Sequence, residues 1–144
     1  MTKGTTDIAA GAAARTSKAS YQEAGGEDAF RIERVGDVAI IVPAQTVENL
    51  QWELIEEASQ ILVAPINRME TPTVIVDLSA VDYFGSVFLS LLLRVERSVR
   101  RQGGAMVLSG VSGRARELLR VTNLDTLWAI YDTRAEALQS LSAD

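Results

Sequence analysis

The run VIVDLSAVDYFGSVFLSLLLRV, from Val74 to Val95, constrains the fold of this chain more than any other stretch. Its opening TVIVDL segment is a short β-branched apolar run, the mark of a strand buried on both faces. From Ser86 onward the apolar residues recur at helical spacing. A buried strand that passes through a short loop into a helix is the building unit of a parallel sheet. Ser86 falls at the junction, where backbone N–H groups lack partners and the helix dipole favours negative charge. A hydroxyl there has two uses. As a helix cap it accepts from the N–H of Phe88 or Leu89, worth about 1 kcal/mol. As a phosphate acceptor it gains roughly −1.5 to −2 charges and three acceptor oxygens. The fold tolerates such a group, whereas an apolar partner docking beside it must desolvate a dianion, so a phosphate here works as an interface switch.

Stepping residues 86–102 at 100° puts Phe88, Leu91, Leu92, Val95 and Val99 within one arc of about 100°, the width of a core-facing stripe. Arg94, Arg97 and Arg101 lie roughly opposite, solvated and suited to the negative end of the helix. Leu89 and Leu93 are left on the flank nearest Ser86. Either they form an open patch for a protein partner, or a neighbouring helix covers them. With Gly85, Ser86 and Ser90 they make the candidate partner-binding surface. Arg114, Arg116 and Arg120 are candidates for an added surface toward an acidic partner.

The 144 residues, 47% of them hydrophobic, suit one domain with a real core. Residues 1–28 are rich in Ala, Gly, Thr and Ser and hold both lysines, Lys3 and Lys18. They are expected to be a disordered tail, with an alanine-favoured helix at Ile8–Ser17 left open, before a domain over residues 29–144. FRIERV and VAIIVP read as a hairpin about Gly36-Asp37. A helix follows from Val47 to about Val63, with Pro65 near its end, and then the TVIVDL strand. The Ser86 helix stops at Gly103-Gly104. AMVLSG is a strand, Ser112 to Arg120 a short helix, and Leu127 to Tyr131 a short strand. Thr133 to Leu141 closes the chain as a helix, with Thr133 as N-cap and Glu136 as its capping-box partner. The fold class is α/β, a mixed and mostly parallel sheet with an N-terminal hairpin and about four helices packed mainly on one face.

With no His and no Cys the chain can build no Ser-His-Asp triad, imidazole base, His-ligated zinc or disulfide. No Gly-rich phosphate loop matches a P-loop or dinucleotide fingerprint. The net charge of −5 tilts against nucleic acid. No apolar run is long enough to span a bilayer and no secretory signal is read, so a cytoplasmic protein without direct membrane insertion is expected. Asp77 and Asp82 flank the loop before Ser86. Such a pair at a strand end can hold Mg²⁺ or serve phosphotransfer, or simply end a strand and shape a turn. Trp52 and Trp128 are expected to pack at or beside the core. The chain is therefore read as no enzyme, with no metal and no cofactor.

From VDLSAVDYF through Gly85-Ser86 and the apolar helix to RRQGGAMVLSGVSGRARELLRVTNLDTLWAIYDTRAEAL, the chain resembles the STAS domain of bacterial anti-sigma factor antagonists. The likeness covers roughly Phe30 to Leu141. In that family the junction commonly reads Asp-Ser-Ser-Gly or Asp-Ser-Thr-Gly, and its first hydroxyl residue is phosphorylated by an anti-sigma factor that is also a serine kinase. Aligned without gaps, Ser86 falls on that residue, while Gly85, Val87 and Phe88 replace the acid, the second hydroxyl and the glycine. Gly85 removes a carboxylate beside the acceptor, and Phe88 puts bulk into the first helical turn. The resemblance implies a protein-interaction regulator that binds an anti-sigma factor/serine kinase of the histidine-kinase-like ATPase type, switched at Ser86 and reset by a phosphatase. The other reading is a STAS subunit that is not phosphorylated, within a larger assembly such as a transport complex. An edge strand near Phe30 leaves a homodimer open.

Overall fold

The computed structural model describes residues 29–141, so the proposed tail and the Ile8–Ser17 helix lie outside it. Five strands form one sheet in the order β1-β2-β3-β4-β5. The hairpin partners β1 (Phe30–Val35) and β2 (Val38–Pro43) pair antiparallel, with Val35 opposite Val38 across the Gly36-Asp37 turn. β3 (Thr73–Asp77), β4 (Ala105–Ser109) and β5 (Ile130–Tyr131) then add in parallel. The connecting helices are α1 (Ile55–Asn67), α2 (Ser86–Arg101) and α3 (Gly113–Val121), and α4 (Arg134–Leu141) follows β5.

Because the sheet is built in chain order, crossovers of one hand must all fall on the same side. The core shows that they do. Ala39, Ile41, Val74, Val76, Met106 and Leu108 face Leu62 and Ile66 of α1, Leu91 and Val95 of α2, and Leu119 of α3. The intervening strand residues Ile40, Ile75 and Val107 sit in one register layer on the opposite face, under Ala137 and Leu138 of α4. So three helices share one face and one helix covers the other.

Two elements differ from the sequence expectation. The helix expected from Val47 to about Val63 is instead two 3₁₀ turns, Gln45–Asn49 and Trp52–Leu54, followed by α1. Val47 is buried while Leu50 and Gln51 adopt extended backbone, so the chain anchors itself before it can coil. Pro65 does sit in the last turn, so the i→i−4 bond that it cannot donate is lost only where the helix is about to end. The strand expected over Leu127 to Tyr131 shrinks to Ile130–Tyr131. The N–H of Leu127 closes a turn onto the Leu124 carbonyl, and the Trp128 side chain dives into the core. Trp52, expected at the core, is more than half exposed.

α2 ends where expected. Gly103 takes φ +73°, and Gly104 lies so close to Pro72 that any Cβ would strike its carbonyl oxygen, which also accepts from Ala105 N–H.

Candidate functional site

Three strand-to-helix junctions line the carboxyl edge of the parallel strands, and they start their helices differently. At β4–α3 the Ser112 hydroxyl accepts from Ala115 N–H at 3.0 Å and donates to the Asp82 carbonyl. At β5–α4 the Thr133 hydroxyl accepts from Glu136 N–H at 3.1 Å. Glu136 reaches back to Asp132 N–H at 3.2 Å, one residue beyond the N-cap N–H that the expected capping box would use. At β3–α2 the N-cap is Gly85, with extended backbone and no side chain to offer. Its carbonyl accepts the first helical bond, from Leu89 N–H at 3.1 Å. Ser86 is therefore the first helical residue and not the cap, which corrects the capping reading. It is exposed, and its hydroxyl makes no capping bond.

What holds the start of α2 is apolar packing. Phe88 is 1% exposed, edge-on to Phe84 with centroids 5.1 Å apart and stacked on Phe30 at 6.5 Å. Its bulk points into the core, so it leaves the outer surface of the first turn open. A Cβ at Gly85 would meet nothing within 4 Å, and its φ of −104° suits any residue. The position thus has room for the acid that the family motif carries.

The loop before Ser86 is clamped from both sides. Val81 and Phe84 bury their side chains. The N–H of Asp82 donates to Glu48 Oε2 at 2.8 Å, and the Asp82 carboxylate pairs with Arg114 Nη1 at 3.0 Å. The same guanidinium lies 4.9 Å over the Tyr83 ring, a favourable cation–π distance. Sequence reasoning missed Glu48 and Tyr83 here, and it read Ser112 only as a helix start and Arg114 only as a candidate surface toward an acidic partner. Only the folded topology brings them together, from three separate segments.

The expected surface residues fall as follows. Leu89 and Leu93 are half-buried, packing against the core without being covered, and they follow Ser86 along one stripe of α2. Gly85 and Ser90 are half-buried beside them. Asp77 is not part of this surface. Its side chain lies on the α4 face, where it accepts from Arg134 Nε at 3.0 Å and Nη2 at 2.9 Å and from Ser79 N–H at 3.1 Å. Asp77 and Asp82 thus have separate arginine partners and do not converge on a common site. No group of three or more acidic side chains among the described residues is placed to hold a metal ion. Arg134 also pairs with Glu33 at 2.8 Å. Burial pushes the Glu33 carboxyl up, but bonding to Arg31 and the charges of Arg134 and Arg31 outweigh it and hold it below its ordinary value.

A family model of the STAS domain matches residues 28–137. The chain belongs to the STAS domain family. A Thermotoga neapolitana protein, whose name assigns it to the anti-sigma factor antagonists, is 34% identical over 114 residues, spanning 78% of this chain and 96% of its own length. The structure of an anti-sigma-factor antagonist (STAS) domain protein from Planctomyces limnophilus superposes with a TM-score of 0.70 at 28% identity, covering 78% of this chain and 97% of that one. The anti-sigma factor antagonist SpoIIAA in its unphosphorylated form shares the fold, with a TM-score of 0.67 at 19% identity over 81% of this chain and 98% of that chain. This chain is thus an anti-sigma factor antagonist-like STAS domain. No helix among the described residues is long and apolar enough to cross a membrane.

Proposed function

We propose that this STAS domain acts as an anti-sigma factor antagonist in the cytoplasm. It binds an anti-sigma factor through Gly85, Ser86, Leu89, Ser90 and Leu93 and thereby frees a sigma factor. The anti-sigma factor is a serine kinase of the histidine-kinase-like ATPase type, phosphorylation of Ser86 weakens the contact, and a phosphatase restores it. The observation that carries this reading is Ser86 itself, an exposed hydroxyl at a helix N-terminus that the fold does not use as a cap. Negative charge placed there is favoured by the helix dipole, so phosphate is compatible with the folded domain. The same charge beside Leu89 and Leu93 opposes burial of those leucines under a partner.

The test is phosphorylation by the ATPase-type anti-sigma factor encoded nearest to this chain. Incubation with that protein and Mg-ATP, followed by peptide mass spectrometry, is expected to place one phosphate on Ser86 and none on Ser86→Ala. Phosphate elsewhere, or none, contradicts the reading.

One observation favours a second reading, a STAS subunit of a larger assembly that is never phosphorylated. Gly85 stands where the family motif has an acid. Gly85→Asp separates the two: it accelerates Ser86 phosphorylation if Ser86 is a divergent acceptor, and changes nothing if the serine is no acceptor.

A further inference from the structure

The stripe that begins at Ser86 does not end at Leu93. Arg97 and Arg100 continue it, all five side chains from Ser86 and Leu89 onward lying within about 80° of rotation. Leu93 and Leu127 form the apolar part of a surface notch of about 380 Å³ that Glu96, Arg97 and Arg100 complete. Glu96 is buried and both of its carboxylate oxygens are hydrogen-bonded. Oε1 accepts from Trp128 Nε1 at 2.9 Å, while Oε2 accepts from Arg100 Nε at 3.0 Å and from Arg100 Nη2. This pins the Arg100 guanidinium at the rim with two of its five N–H groups used, its side chain still 66% exposed. Arg97, one turn earlier, is exposed and has no carboxylate within ion-pair distance among the described residues. Two guanidinium groups thus line an apolar notch, with the Glu96 carboxylate held by Arg100, on a chain whose net charge is −5.

Arginines at a helix C-terminus complement the dipole. That accounts for their charge, but neither for the apolar floor between them nor for the buried carboxylate that fixes one of them. We infer that this notch receives an acidic side chain and a neighbouring apolar side chain from a segment of a protein partner. The apolar group sits on Leu93 and Leu127, and the carboxylate is shared by Arg97 and the free N–H groups of Arg100. A bidentate guanidinium–carboxylate contact of this kind supplies direction as well as charge. The inference deepens the reading of α2 as a docking helix and rests on it for the partner's identity. The notch lies about 16 Å along the helix from Ser86, at 1.5 Å per residue, so a partner bound at the serine reaches both.

The experiment selects peptides from a displayed random library on the immobilised full-length chain. The consensus peptide is then synthesised and its affinity measured by fluorescence anisotropy. The expected consensus holds Asp or Glu within four residues of Leu, Ile or Phe. Arg97→Glu is expected to weaken binding at least tenfold, while Arg68→Glu, an equal charge change at the end of α1, leaves it within twofold. Amide shift changes are expected to centre on Leu93, Arg97 and Leu127. A basic or uncharged consensus overturns the inference, as does binding that ignores Arg97→Glu. Binding abolished by Ser86→Asp but not by Arg97→Glu overturns the notch while leaving the Ser86 reading intact. If peptides bind only after Glu23, Glu27 and Asp28 are replaced by Ser, the chain's own N-terminal segment occupies the notch, and the partner assignment is overturned.

Discussion

Ser86 and Ser112 stand at adjacent strand-to-helix junctions of one sheet edge, and the fold treats them in opposite ways. Ser112 is committed: its oxygen accepts from the first turn of α3, and its proton ties the neighbouring loop at Asp82. Ser86 has no such duty, because Gly85 caps α2 and the Phe30–Phe88–Phe84 packing fixes its first turn. A hydroxyl that the fold does not need is free to be modified without loss of structure. The contrast also shows what anchors each helix, a polar cap for α3 and buried aromatics for α2.

The largest effect expected is at the aromatic anchor. Phe88→Ala should cost about 3–5 kcal/mol in urea unfolding, as for other buried aromatic truncations; a loss below about 1 kcal/mol would mean that packing does not hold the start of α2. Next, Ser112→Ala should cost about 1 kcal/mol and speed amide exchange in residues 79–85, since it frees both α3 and the loop. A smaller change belongs to the opposite face of the sheet and should touch neither serine. Glu33 is held below its ordinary value of 4.5 by Arg31 and Arg134, so its contribution is present above that value and fades as pH falls below it. Glu33→Gln should flatten that part of a thermal-melt profile taken from pH 6 to pH 3. Gly85→Asp should shift stability by only a few tenths of a kcal/mol, Asp and Gly both being accepted at an N-cap. The effect of Ser86→Ala should be equally small, within about 0.5 kcal/mol of the wild type. A loss near that of Ser112→Ala would erase the difference between the two junctions.

Much of this was legible in the sequence for identifiable reasons. The TVIVDL run, the Gly36-Asp37 turn and the Gly103-Gly104 stop are local signals, and the structure places strand, hairpin and helix end there. The stripe of Phe88, Leu91, Leu92, Val95 and Val99 follows from helical period alone, and all five are buried. The start of α1 was not legible, because burial of Val47 and the extended Leu50-Gln51 step are decided by tertiary packing. Trp128 ends the expected strand early for the same reason, since its indole seeks Glu96 from 32 residues earlier. At the site, Ser86 and the flanking leucines could be read from spacing. The cap at Gly85 could not, because a one-residue shift in a helix start leaves no mark on apolar periodicity. The Glu48, Arg114 and Tyr83 clamp on the loop was equally invisible, its members lying far apart in the chain.

Charge at Ser86 is expected to alter binding and leave folding alone. Titration of the proposed ATPase-type anti-sigma factor into wild type and Ser86→Asp in a calorimeter, with thermal melts of both chains, checks this. Affinity is expected to be at least tenfold weaker for Ser86→Asp, with a Tm equal to or above the wild type, the added acid being favoured at a helix N-terminus. Unchanged affinity, or a fall in affinity that merely tracks a fall in Tm, would contradict it.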